Sequence, residues 1–204
     1  MITYRYPQDD PQYDDSMEGR REELRRSLGV SILENTFDNF KPVKGTEKAL
    51  QACRALVSGK TNWKMLMLYG GVGNGKSHLL ESSVIELYKM GIFCRVNTYD
   101  RMMRYLRGCM DKDSPRSVDD VLDGWCRAER LVIDDVGIGG SNTEWSMKML
   151  EEIILSRYRE NSFTLLATNI DLSELPERVI SRFNDPQKAR LILNTAPDYR
   201  PEKK

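Results

Sequence analysis

Apolar and polar residues alternate along the chain with two different periods. Short apolar runs at 65–69, 92–97, 131–135, 163–169 and 190–193, each closed by glycine or polar residues, have the length of buried strands. Between them, apolar residues recur at three- and four-residue spacing. They do so over 45–58 (Thr46, Ala49, Leu50, Cys53, Leu56, Val57), from Leu79 onward (Leu79, Leu80, Val84, Ile85, Leu87, Tyr88) and over 143–158 (Trp145, Met149, Leu150, Ile153, Ile154). Further helices are expected at 99–110, at 117–127 and near 173–183. Strands alternating with helices predict crossover units, hence an α/β fold with a parallel sheet covered on both faces.

The stretch before this alternation is different in kind. Residues 1–15 carry Asp9, Asp10, Asp14 and Asp15 among Pro, Gln and Tyr, and no fixed structure is expected there. Residues 16–28 read as a charged helix ending at Gly29, with too few apolar positions to bury a face. It is either a solvated helix or a handle for a partner. The expected organisation is a short N-terminal extension over 1–35, one domain over 36–200 and a tail over 201–204.

Composition narrows the classes. The 31 basic and 31 acidic side chains cancel, so no bulk positive field points to nucleic acid, and any such surface must be local. No apolar run approaches the ~18–20 residues that cross a bilayer, and Met1 to Asp15 has no signal-peptide core. The four cysteines (Cys53, Cys94, Cys109, Cys126) are scattered, and His78 is the only histidine. That pattern suits reduced thiols packed as small apolar side chains in a cytoplasmic protein, not a zinc site or a disulfide framework.

The chemistry concentrates after the first strand. Gly70, Gly71, Val72, Gly73, Asn74, Gly75, Lys76 and Ser77 fit G-x-x-x-x-G-K-[ST], followed by His78 at the start of a helix. Glycines let backbone N–H groups curl round a phosphate, and the helix N-terminus adds partial positive charge at the same point. Lys76 can reach the β- and γ-phosphates, and the Ser77 hydroxyl can ligate Mg²⁺. The spacing therefore predicts a bound nucleoside triphosphate. The strand at 131–135 ends in two carboxylates, where such sheets place their ligands. Asp134 is the candidate metal holder and Asp135 the candidate polariser of an attacking water. Asn169, at the next strand end, suits a γ-phosphate or water contact, or simply a turn. Arg178 and Arg182 share a helix face and serve either solvent ion pairs or a neighbouring subunit's nucleotide. Phe37 and Phe40, just before the first helix, either flank an adenine ring or pack on the domain edge.

Gly70 to Ser77, Leu131 to Gly137, Thr168-Asn169 and Glu177 to Phe183 come in an order and spacing that resembles AAA+ ATPases. The chain is most similar to the branch holding the helicase loaders DnaC and DnaI and the transposition helper IstB. Gly-Lys-Ser-His-Leu, Ile-Asp-Asp-Val-Gly, Ala-Thr-Asn and Glu-Arg-Val-Ile-Ser-Arg-Phe carry the likeness, over about residues 36–200 and including Asp198-Tyr199-Arg200. The resemblance implies a P-loop core with strand order 5-1-4-3-2, ATP and Mg²⁺ as ligands, Asn169 as sensor, and Arg182, with Arg178 second, as arginine finger. It implies a slow ATPase, because an Asp stands at position 135 where many relatives have Glu. Too little chain follows Leu193 for a helical lid. The stretch before Phe37 is short beside cellular loaders, as in a phage or mobile-element version.

Single-stranded DNA is the ligand this branch implies. Arg101, Arg104, Tyr105 and Arg107, on the helix after the second strand, and Trp145 are the candidates for phosphate neutralisation and base stacking. The functional expectation is a helicase loader for DNA replication that binds a replicative helicase and forms homo-oligomers with ATP or partner. The alternatives are a transposition helper that recruits a transposase to DNA, and a non-hydrolysing ATP switch. A small-molecule phosphotransferase is the weakest, since no acceptor-binding lid is identifiable.

Overall fold

The computed structural model describes residues 34–139 and 142–198. The charged helix expected over 16–28, and Tyr199 and Arg200, lie outside the described residues. In chain order the elements are α1 (Glu47–Val57), β1 (Met65–Tyr69), α2 (Lys76–Lys89), β2 (Arg95–Thr98), α3 (Tyr99–Gly108) and α4 (Val118–Cys126). They continue with β3 (Arg130–Val136), α5 (Glu144–Arg159), β4 (Phe163–Thr168), α6 (Glu177–Phe183) and β5 (Ala189–Leu193).

All strand pairs are parallel, in the order β2-β3-β4-β1-β5, which is the expected 5-1-4-3-2 read from the other edge. The central strands β1 and β4 are nearly continuous apolar runs because helices cover both their faces. The two-residue period of β1 divides the core. Leu66 and Leu68 pack with Ala49, Cys53 and Leu56 of α1 and Leu79 and Val84 of α2. Met65 and Met67 pack on the other side with Met102, Leu106, Trp125, Leu150, Ile153, Val179 and Phe183, from α3 to α6.

Short polar residues start the helices where the pattern predicts. Thr98 caps α3, and Ser117 with Asp120 and Thr143 with Ser146 form reciprocal capping boxes on α4 and α5. Two boundaries differ from expectation. β2 begins at Arg95 instead of Ile92, because the Ile92 N–H is spent on the Leu87 carbonyl at the end of α2 (2.9 Å). The helix expected near 173–183 is interrupted. An Asp171-capped 3₁₀ turn over Leu172–Glu174 gives way to an extended Leu175 (ψ 151°), and α6 starts after Pro176. Proline bars the helical conformation in the residue before it, which is why the break falls there.

One polar residue sits in the middle of the core. Arg157 of α5 has no solvent exposure, and its guanidinium bonds the carbonyls of Trp125 (2.9 Å), Cys126 (3.2 Å), Ala128 (2.6 Å) and Phe163 and the Thr164 hydroxyl (2.9 Å). It thereby ties the end of α4 to the start of β4. The four cysteines are all unpaired thiols; Cys53, Cys109 and Cys126 are buried and Cys94 is half-buried. Burial pushes the Cys53 and Cys94 thiols up to about 12. Among the described residues no helix follows β5, and no helix is long and apolar enough to cross a membrane.

Candidate active site

The phosphate loop joins the end of β1 to the start of α2. Gly70, Gly73 and Gly75 adopt positive φ (133°, 71° and 90°), conformations that a side chain at these positions would strain. Gly75 is the N-cap of α2, where no side chain caps the helix and its first turn holds no acid. The end of a 14-residue helix is thus left to act on an anion with its N–H groups and dipole. Lys76 is only 4% exposed. Its ammonium donates to the carbonyls of Gly70 (2.8 Å) and Gly71 (2.6 Å) and to Asn74 Oδ1 (3.0 Å). These are the contacts an incoming phosphate oxygen would replace.

Two carboxylates stand at the end of β3, where a β-bulge separates them. Ile133 pairs with Leu166 and Val136 with Thr168, so β3 spends one more residue than β4 over this stretch. Asp135 takes up the excess with a left-handed backbone (φ 51°). The bulge aims the two side chains at different partners. The Asp134 carboxylate accepts from the Ser77 hydroxyl and from the Asp135 N–H (2.8 Å). Asp135 Oδ1 accepts from Asn169 Nδ2 (3.3 Å) at the end of β4. The structure therefore brings Lys76, Ser77, Asp134, Asp135 and Asn169 into one connected set. Burial, and then the charge of Asp135, push the Asp134 carboxyl up to about 6. A hard divalent cation held by the Ser77 and Asp134 oxygens would relieve that charge, and oxygen donors are what Mg²⁺ takes.

A third carboxyl escaped the sequence reading. Glu81 lies one turn beyond Ser77 on α2, and burial pushes its carboxyl up to about 7, with Asp134 adding to the rise. Asn35 donates to Glu81 through its side chain, and its carbonyl accepts from Ser82 (3.2 Å). The four-residue spacing from Ser77 was the available signal.

The lead-in to the first helix packs on α1 and α2 through His78 and the two aromatics. The His78 imidazole bonds the Thr36 carbonyl (3.0 Å) and Asn39 Oδ1 (3.1 Å), and Phe40 sits edge-on to it with ring centres 5.0 Å apart. Phe40 is 5% exposed within the α1–α2 layer, and Phe37 lies beneath the Arg54 guanidinium (5.5 Å). Phe40 is thus packed into the α1–α2 layer, while Phe37 is half-buried with the Arg54 guanidinium over its ring.

The sequence profile of the bacterial DnaA ATPase domain matches residues 33–186, well over half of the chain. The chain belongs to this family. It is similar to the chromosomal replication initiator protein DnaA of Bordetella pertussis, with 27% identity over 152 residues. That match covers 73% of this chain and 32% of the relative, so the chain spans about a third of the length of the curated relatives it matches. Solved structures share the fold. A DnaC helicase loader superposes with a TM-score of 0.68 and 22% identity, over 81% of this chain and 99% of that one. AMPPCP-bound DnaA from Aquifex aeolicus gives 0.66 and 21% identity, over 79% of this chain and 50% of that one. The loop, the bulged strand and the asparagine thus belong to a DnaA-type AAA+ ATPase domain that binds nucleotide.

The arginines of this DnaA-type domain lie apart from that set. Arg178 on α6 is paired with Glu151 of α5 (2.8 Å), and the Arg182 guanidinium lies over the Tyr158 ring (5.0 Å). Within the chain, their bonds go to α5 and not to the phosphate loop. On α3, Arg104 pairs with Asp100 (2.9 Å), and Arg107 reaches the Thr143 hydroxyl (3.4 Å) and lies over the Trp145 ring (5.9 Å). Arg101 is half-buried in the first turn of α3. Tyr105 and Trp145 are both half-buried against the core, Tyr105 edge-on to Trp125. Each of these two rings is thus shared between the core and the surface.

Proposed function

We propose that this domain is an ATP-dependent loader that places a replicative helicase on single-stranded DNA. The bulged strand end of β3 carries the reading, because it gives each of two adjacent carboxylates its own task. Ser77 and Asp134 hold Mg²⁺, which supplies charge neutralisation to the phosphates. Lys76 leaves the loop carbonyls for the phosphate oxygens. Asp135 accepts a proton from the attacking water while Asn169 orients it, and the short Asp135 side chain keeps turnover slow without a partner. Arg182, with Arg178 as second choice, reaches a neighbouring subunit's nucleotide and stabilises transition-state charge, so hydrolysis waits on assembly. The fold shared with a DnaC helicase loader and with DnaI supports this role. Residues 1–35 are the helicase handle, and Arg101, Arg104 and Arg107 track the DNA backbone.

A pull-down against a replicative helicase with ATP, with ADP and without nucleotide tests this, followed by loading onto single-stranded DNA. Capture that depends on ATP and is lost in Lys76→Ala supports the loader. Capture of a transposase instead, with no helicase bound in any nucleotide state, overturns it. Arg182→Ala should lower assembly-dependent ATPase and leave nucleotide binding by the monomer intact.

A further inference from the structure

The residues after β5 lie on the phosphate loop. Asn194 donates from its backbone to the Tyr69 carbonyl (2.8 Å), carrying the β5–β1 pairing beyond the strands. Its side-chain Nδ2 donates to the Asn74 carbonyl (2.8 Å), and Asn74 Nδ2 donates back to the Asn194 carbonyl (3.0 Å). Both amides are 1% exposed, so this reciprocal pair is a fixed part of the loop. The Asn194 carbonyl lies so close to Gly70 that a Cβ there would collide with it. Next, Thr195 and Ala196 rest on Gly45, where a Cβ would also collide, and Ala196 is buried. With its course set at these points, the chain brings the Asp198 carboxylate against Gly73, where any Cβ would overlap it.

A carboxylate on this loop has a physical meaning. The backbone N–H groups and the end of α2 favour an anion, and Asp198 presents one before any phosphate arrives. We propose that residues 194–198 form a strap that restrains the nucleotide site, with the Asp198 carboxylate competing with the triphosphate for the phosphate loop. Nucleotide entry requires the end of the strap to lift from Gly73, while the Asn194–Asn74 pair stays as its hinge. This rests on nucleotide binding at residues 70–77 and adds a regulator to that site.

The test is a titration of the full chain with a fluorescent ATP analogue and Mg²⁺, at low and at high salt. Wild type is compared with Asp198→Asn, Asp198→Glu and Lys76→Ala. Removing the charge in Asp198→Asn should tighten binding about fivefold at low salt, the scale of one like charge at contact distance in water. The gain should shrink at high salt, where screening weakens the repulsion, and Asp198→Glu should stay near wild type. Unchanged or weaker binding by Asp198→Asn overturns the strap. A gain that survives high salt, or that Asp198→Glu shares, also overturns it, because loosening and not charge would be the cause. If wild-type binding is absent or survives Lys76→Ala, the nucleotide assignment itself fails, an outcome distinct from the others.

Discussion

Arg157 and Lys76 are both buried cations, yet one closes a structure and the other prepares a reaction. Both are solvated by backbone carbonyls where one element gives way to the next. Arg157 uses a rigid fork to bond four carbonyls and a hydroxyl where α4 ends and β4 begins. Lys76 uses a compact ammonium on a flexible stem to bond two loop carbonyls and one amide oxygen. The fork matches one geometry and holds it; the ammonium can exchange its acceptors for others of the same kind. Burial lowers the Arg157 pKa to about 10, which still leaves it charged at neutral pH. The contrast teaches that a buried charge becomes structural or functional through the exchangeability of its partners.

Breaking the two cations separately should separate stability from binding. Arg157→Met leaves several buried carbonyls unpaired and should cost about 3–5 kcal/mol, read as a lower midpoint in urea unfolding. Lys76→Ala should weaken binding of an ATP analogue about 10–100-fold, the worth of one to two charge-assisted bonds, with the fold retained by circular dichroism. A Lys76→Ala protein that unfolds as Arg157→Met does would erase the distinction.

Smaller effects sharpen it at the carboxylates. Asp134→Asn should abolish the Mg²⁺ dependence of nucleotide binding, yet raise the melting temperature of the nucleotide-free protein by a few degrees. It removes a buried carboxylate whose pKa burial and Asp135 have raised. Glu81 gives the smallest effect. Its folded-state pKa, about 7 against an ordinary 4.5, means the folded protein binds that proton more tightly than the unfolded chain. Its contribution to stability is therefore greatest below the ordinary value and lost as pH rises towards 7. Glu81→Gln should flatten the melting temperature of the nucleotide-free protein across that interval, and an unchanged slope would remove Glu81 from the account.

Much of the site was legible because its parts are contiguous in sequence. The loop Gly70–Ser77 and the pair Asp134-Asp135 are local patterns, and their apolar lead-in strands announced where they would sit. What was not legible depends on register. The extra residue in β3 that turns Asp135 towards Asn169 exists only relative to β4. Asn194 meets Asn74 across 120 residues of chain, because β5 runs beside β1. Arg157 is, in the sequence, one more polar position on a long helix, since nothing local shows that the opposite wall is made of carbonyls. The break before Pro176 follows a local rule that the expectation of one helix near 173–183 passed over: a proline inside an apolar-periodic stretch restarts the helix.

The quiet thiols have a practical consequence. Cys53 and Cys94 stay protonated at any pH used for maleimide chemistry, and burial also raises Cys109 and Cys126. A dye attached at a cysteine introduced for Met110, which is 62% exposed just beyond the arginine-bearing helix, would therefore report from one address without removing a native residue from the core.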